Sequence, residues 1–177
     1  MLEVSFRTSA VERAYKYWLS KCPPEKNPPG NGSTDECQSS GGGAGLLPSR
    51  ALIDPIEMRS FLPNILLLDV QREPLDFRFR LVGTSVTPLL NRDYTSEWMS
   101  NIDNLKAPGK VWTNCSSAVE FGEPVYACTP YTGPKRGIMD VEDLILPLAA
   151  DGTTVDMLMI ILAGTKKKPR DQEPFKR

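Results

Sequence analysis

Apolar residues recur at helical spacing near the start of the chain. Between Ser9 and Ser20 they fall three or four positions apart, so they share one face of a helix. Ser9 and Glu12 have the spacing of a capping box, in which two side chains bind free backbone amides at a helix start. The pattern predicts an amphipathic helix whose apolar face carries Val11, Ala14, Tyr15, Trp18 and Leu19.

Two strand-like segments follow further along the chain. Asn64 to Val70 is an almost uninterrupted apolar run, which predicts a strand that is buried on both faces. Leu75 to Leu81 alternates apolar residues with Asp76, Arg78 and Arg80, which predicts one buried and one polar face. Glu73-Pro74 between the two runs indicates a short hairpin connection.

The remaining elements are a helical middle and three more strands. Asp54 and Pro55 suit the start of a short helix that Pro63 ends, and Pro108–Phe121 presents an apolar helical face. The last strands are predicted over Pro124–Tyr131, Met139–Ala149 and Val155–Ala163, with a tight turn at Asp151-Gly152. The order of elements predicts an α+β fold, in which helices gather on one face of an antiparallel sheet.

Two segments lack the apolar residues that a packed core needs. The Gly- and Pro-rich stretch 22–45 predicts a disordered insertion, and the basic stretch 165–177 predicts a disordered, solvated tail. The expected organisation is an N-terminal helix at 1–21, the insertion at 22–45, a folded domain at 46–164 and the tail at 165–177.

Composition narrows the classes of function. The 177 residues include 21 Lys and Arg, 22 Asp and Glu and no histidine. A near-neutral charge argues against binding of nucleic acid along a basic face. The lack of histidine excludes a Ser-His-Asp triad, a His-ligated haem and a His-containing zinc site. No membrane segment, secretory signal, CxxC pair or metal-ligand cluster is apparent, so we expect a cytoplasmic protein with free thiols.

Several ordered blocks resemble a known family. They are Tyr17-Trp18, Leu47-Pro48-Ser49-Arg50, Ile53-Asp54-Pro55, Phe61 to Val70, Phe77 to Thr84, and Leu144 to Ala149 followed by Asp151-Gly152. In these blocks the chain is similar to short bacterial PAS-like proteins over about Val11 to Ala163, apart from the insertion. The resemblance implies a five-stranded antiparallel sheet of order 2-1-5-4-3, with strand two at an edge and strands one and five inside.

The chain departs from the family pattern at one stretch in the helical middle. The family usually shows Gly-Arg-Asp-x-Thr-Gly, whereas this chain has Asn91-Arg92-Asp93-Tyr94-Thr95-Ser96. Both glycines are replaced, so a backbone that needs positive φ at these positions is expected to be strained or reshaped.

A set of polar and aromatic residues is predicted to line a ligand pocket under the helical middle. Arg80 would offer a rigid fork to an anionic ligand, and the alternative is that Arg80 pairs with Asp93 and fastens the helical middle to the sheet. Cys115 lies on an apolar helix face, which predicts an inert packed thiol. The predicted ligand-binding residues are Arg80, Thr84, Arg92, Asp93, Trp112 and Tyr126.

These observations lead to two hypotheses of function. The first is a non-enzymatic sensory or regulatory module that holds a small-molecule ligand and signals through protein contacts. The second is a ligand-free module for homodimerisation or for binding a signalling protein, with Tyr15, Trp18 and Leu19 as the interaction surface. An enzyme is disfavoured because no acid–base pair is apparent. No cofactor is indicated by the sequence.

Overall fold

The described part of the chain contains three α-helices and five β-strands. A computed structural model describes residues 5–23, 46–131, 137–138 and 140–165. Most of the predicted insertion at 22–45 and the predicted tail from Lys166 lie outside these residues. In chain order the elements are α1 (Ser9–Lys21), β1 (Ile65–Arg72), β2 (Leu75–Val82), α2 (Thr87–Leu90), α3 (Lys110–Phe121), β3 (Val125–Pro130), β4 (Asp140–Leu148) and β5 (Met157–Thr165).

The strands form one antiparallel sheet in the order β2-β1-β5-β4-β3. β5 lies between β1 and β4, and its residues Met157 to Ile161 are all buried. β2, whose arginines are exposed, forms one edge, and β3 forms the other. The predicted α+β fold and PAS-type strand order are therefore confirmed, because the most apolar segments occupy the centre of the sheet.

One face of the sheet is covered by α1. Val11, Ala14, Tyr15 and Trp18 are buried, as the helical periodicity predicts. The Trp18 Nε1–H donates a hydrogen bond of 2.9 Å to the carbonyl oxygen of Pro147 on β4. This buried bond fixes the helix to the sheet at one point. The apolar face of the helix supplies the surface area that is buried against the sheet.

The opposite face is covered by the segment between β2 and β3. Its longest element is α3, which buries Asn114, Cys115, Ala118 and Val119. Gly122 ends this helix with a left-handed φ of 65°, a conformation that glycine adopts without steric cost. The helical middle is thus held over β1, β2, β4 and β5, and the packing leaves a cavity between the two layers.

Three local predictions are wrong. The cap of α1 is the Thr8 side chain, which accepts from the Val11 N–H at 3.5 Å, and not Ser9. The predicted short helix after Asp54 is a series of turns, and Pro63 lies inside a 3-10 helix, Leu62–Asn64, rather than at a helix end. The predicted tight turn at Asp151-Gly152 is part of a longer connection, since Met157 is the first residue of β5.

The two positions where the family pattern has glycine keep a glycine-like backbone. Asn91 has φ 72° and Ser96 has φ 73°. Ser96 lies in a turn that the Glu97 N–H closes on the carbonyl oxygen of Tyr94 at 2.9 Å. Asparagine tolerates the left-handed region better than serine does, so the strain is concentrated at Ser96.

We predict that Trp18→Ala lowers the free energy of unfolding by ~3–5 kcal/mol, because it leaves a cavity and an unpaired carbonyl. Lys16→Ala on the exposed face of α1 is the control, with an expected change of ~0.5 kcal/mol or less. Urea unfolding followed by far-UV circular dichroism measures both. A loss of under ~1 kcal/mol for Trp18→Ala would show that α1 is not part of the folded core.

We predict that Ser96→Gly raises the free energy of unfolding by ~0.5–1 kcal/mol. Relief of the left-handed conformation, worth ~1–2 kcal/mol, exceeds the entropy cost of glycine. The matched control is Ser60→Gly at an exposed position without positive φ, which should be destabilising by ~0.5–1 kcal/mol. Equal effects of the two changes on the urea midpoint would contradict the assignment of strain to Ser96.

Candidate functional site

A cavity of about 400 Å³ lies between the sheet and the helical middle. Strand alternation builds its floor, since every second side chain of a strand points to the same face. The floor is apolar and draws on four strands, with Leu66 and Leu68 from β1, Phe79 from β2, Ile145 from β4, and Ile160 and Leu162 from β5.

The opposite wall comes from the helical middle. Tyr94 is buried and its ring lies 5.6 Å from that of Phe79, so an aromatic pair closes one side of the cavity. The Arg92 guanidinium lies over the same Tyr94 ring, 4.6 Å from its centre. Further wall residues are Leu89, Leu90, Asn91, Met99, Asn104, Leu105 and Val111.

The end of β3 passes over the cavity and connects its two walls. Thr129, Pro130 and Tyr131 line this side. The Tyr131 hydroxyl donates a hydrogen bond of 3.1 Å to the carbonyl oxygen of Leu89. This bond ties the segment that follows β3 to α2 (Thr87–Leu90).

Asp143 of β4 carries the charge of the cavity wall. Among the described residues that line the cavity, it is the single Asp, Glu, Lys or Arg. Burial raises the pKa of its carboxyl, while a hydrogen bond from the Asn114 side chain and the positive charge of Lys110 act in the opposite direction. α3 thus supplies two of the groups that favour the ionised form, one at its start and one a turn later, and the backbone N–H of Asp143 is the third.

The predicted anion-binding arginine lies on the other face of the sheet. Arg80 is exposed, and its Nη1 lies 3.3 Å from Asp69 of β1, next to a register shift between Leu67 and Leu68. The alternative pair of Arg80 with Asp93 is wrong. Asp93 instead accepts hydrogen bonds from the Thr95 N–H at 2.8 Å and the Thr95 hydroxyl at 2.6 Å, which lower its pKa.

The other predicted ligand-binding residues also lie outside the set that lines the cavity. Arg92 is exposed and forms an ion pair of 2.8 Å with Glu97, and Thr84 is exposed at the end of β2. Trp112 packs its edge against Phe77 at 5.1 Å, as a core residue does. The role of Arg92, Thr84 and Trp112 in ligand binding therefore stays a prediction.

Tyr126 belongs to a polar cluster under the segment that precedes α1. Its hydroxyl donates to Glu142 Oε1 at 2.8 Å, and the same oxygen accepts from the Arg7 N–H at 2.6 Å. Glu142 is fully buried, and its Oε2 has no hydrogen-bond partner among the described residues. Burial and the adjacent carboxylate raise the pKa of Tyr126 to about 12. The cluster lies on the α1 face, so the sheet separates it from the cavity.

The residues predicted as an interaction surface are mostly inside the fold. Tyr15 and Trp18 are each 5% exposed, and Leu19 is half-buried. Cys115, in contrast, lies where the sequence predicts. It is fully buried, and burial raises the pKa of its thiol, so it is a packed and unreactive side chain.

Sequence reasoning missed Asp143, Tyr94 and Glu142. The signal for Asp143 was present, because alternation from Ile145 places residue 143 on the same strand face. Arg80 was predicted instead, because the polar face of a strand is consistent both with a pocket wall and with a solvent-exposed edge. Only the sheet order and the position of α1 decide between these.

The chain belongs to the PAS domain family. The sequence profile of that family matches residues 8–163, a range that runs from the cap of α1 into β5. PAS domains are in general non-enzymatic sensory or regulatory modules that commonly bind ligands and form dimers. No curated protein matches the chain.

Neither a membrane-spanning helix nor a metal-binding cluster is found among the described residues. Within the described ranges, every helix is too short or too polar to cross a membrane. In the same ranges, no cluster of three or more Cys, Asp or Glu side chains is arranged to hold a metal ion.

We predict that Asp143→Asn raises the free energy of unfolding at pH 7 by ~1 kcal/mol. Folding raises the pKa of Asp143, so the ionised side chain opposes folding above its folded pKa. This effect vanishes below the unfolded pKa of about 3.9. The gain should therefore shrink as the pH falls from 7 to 4.

The control for this measurement is Asp140→Asn, which removes a charge from the same strand on the other face. It should give no gain at pH 7, because Asp140 forms an ion pair of 3.1 Å with Arg7. Urea unfolding at pH 7 and pH 4 tests both variants. An Asp143→Asn variant that is less stable than the parent at pH 7 would be inconsistent with a penalised charge.

Proposed function

We propose that this PAS domain is a sensory module that binds a small molecule in the cavity between the sheet and the helical middle, and that it reports occupancy to a protein partner in the cytoplasm. The cavity of about 400 Å³ is the observation that carries the proposal. The pocket is partly open to solvent, with Asn91, Asn104 and Pro130 exposed among its lining residues. Its volume lies within the range of small-molecule sites, and the opening gives a ligand a way in.

The lining supports small-molecule binding rather than catalysis. Most of the wall is apolar, and a few polar groups converge on it, as is typical of sites that recognise a ligand. Asp143 is the single Asp, Glu, Lys or Arg among the described lining residues, so the paired carboxylates of many acid–base sites are not found there.

Signalling is supported by the strands that the cavity shares with the α1 face. On β5, Ile160 lines the cavity, while its neighbours Met159 and Ile161 point to the face that α1 covers. On β4, Asp143 and Glu142 stand in the same relation. A ligand that shifts these strands would directly change how α1 and the segment at Arg7 pack against the sheet.

Ligand-free dimerisation is the second candidate function. It is favoured by large apolar side chains that this chain leaves exposed, with Ile56 at 74% and Phe121 at 62%. Leu19, which is half-buried near the end of α1, would contribute only its exposed part to such a surface. In this case the cavity would stay empty and the oligomeric state would not respond to any small molecule.

We predict that Val141→Phe abolishes binding of the neutral apolar fluorophore N-phenyl-1-naphthylamine. Val141 is a half-buried cavity residue, so a phenyl ring there occupies the ligand space. Fluorescence titration should give at least a tenfold weaker Kd for this variant. Native mass spectrometry of the parent and the variant should show a retained small molecule only in the parent.

Leu81→Phe is the matched control, since it adds a ring on β2 away from the cavity wall. It should bind the fluorophore as the parent does. Circular dichroism and thermal unfolding verify that both variants are folded. A folded Val141→Phe variant with an unchanged Kd would overturn the assignment of the cavity as the binding site, and would leave dimerisation as the better account.

A further inference from the structure

We propose that the ligand of this cavity carries a positively charged nitrogen on a largely apolar body, and that the nitrogen binds at Asp143. The inference rests on the proposed function above and adds the chemical class of the ligand. It follows from the charge of the described wall, from the state of the Asp143 carboxylate and from where the arginines lie.

The charge of the wall is the first argument. Asp143 is the one Asp, Glu, Lys or Arg side chain among the described lining residues, and the floor beside it consists of aliphatic and aromatic groups. A carboxylate in such surroundings is poorly solvated, because neighbouring side chains replace water. A ligand cation would restore the missing interaction, whereas an uncharged apolar ligand would remove still more water from it.

The second argument is the unused bonding capacity of the carboxylate. Two hydrogen bonds lower the pKa of its carboxyl, one from the Asn114 side chain and one from the Asp143 backbone N–H, and none of the ion pairs among the described residues includes Asp143. A carboxylate offers about four acceptor sites, and an ammonium group brings up to three donors. Charge-assisted hydrogen bonds of this kind are roughly twice as strong as neutral ones. Asp143 is therefore open to one further, charged donor.

The third argument excludes an anionic ligand. A ligand carboxylate in the cavity would lie near Asp143 with no arginine or lysine on the described wall to offset the repulsion. Arg80 is paired with Asp69 on the opposite face of the sheet, and Arg92 is paired with Glu97 and is not among the lining residues. Lys110 is exposed at the start of α3 and is not among the lining residues.

The inference is tested with three probes that share an eight-carbon chain and differ in charge. Octylamine, octanol and octanoate compete with N-phenyl-1-naphthylamine for the full-length protein at pH 7.5. We expect octylamine to displace the fluorophore at a concentration at least tenfold lower than octanoate, with octanol between them. In Asp143→Asn the amine and the acid should differ by less than threefold.

Asp140→Asn is the matched control, because it removes the same charge from the same strand on the α1 face. It should keep the tenfold preference of the parent, which separates a contact at Asp143 from a general effect of net charge. Thermal unfolding of both variants establishes that they are folded, and retained octanol binding establishes that the cavity is intact.

The outcomes distinguish this inference from the proposed function. Octanoate that competes as well as octylamine, or a preference that survives in Asp143→Asn, overturns the inference, while octanol competition that Val141→Phe abolishes leaves the proposed function standing. If none of the three probes competes and Val141→Phe binds the fluorophore as the parent does, the cavity is not a binding site and both proposals fail.

Discussion

The burial of β5 on both faces is the constraint on which the rest of the structure depends. The five residues from Met157 to Ile161 are all buried, and the strand pairs with β1 on one side and β4 on the other. Each fully buried aliphatic side chain contributes roughly 1.5–3 kcal/mol. Such a strand is stable only if both of its faces are covered, so the chain must supply two separate layers.

Those two layers come from different parts of the chain, α1 and the helical middle between β2 and β3, and have different packing. α1 covers its face with an aromatic group in which Phe6 contacts Tyr15 and Tyr126 at 5.3 Å, and Trp18 is hydrogen-bonded to the sheet. The helical middle covers the other face with α3 and with shorter elements joined by turns. The cavity lies mainly under the shorter elements, because Val111 is the one described lining residue that comes from α3.

The sequence was sufficient to predict the elements, because apolar periodicity reports directly on burial, and the resemblance to PAS-like proteins implied the strand order. It predicted α1, the five strands and α3 to within a few residues, and the central place of β1 and β5. It was not sufficient for the site. Arg80 and Asp143 both alternate with apolar residues, and periodicity alone does not say which strand face meets the helical middle. The family glycines at the positions of Asn91 and Ser96 did indicate a positive φ, and the structure keeps it at both.

The position of Asp143 links stability to the proposed recognition. A buried carboxylate with a raised pKa opposes folding of the empty protein, and an asparagine there would fold at lower cost. The buried Asn114 side chain donates a hydrogen bond to this carboxylate, so its charge is partly compensated within the protein. Groups that weaken the unliganded state in this way are typical of binding sites, where a ligand supplies the missing partner. A cation bound at Asp143 would stabilise this strand, whose other face holds Glu142 and the start of α1. Ligand binding would therefore be coupled to the packing of α1 against the sheet.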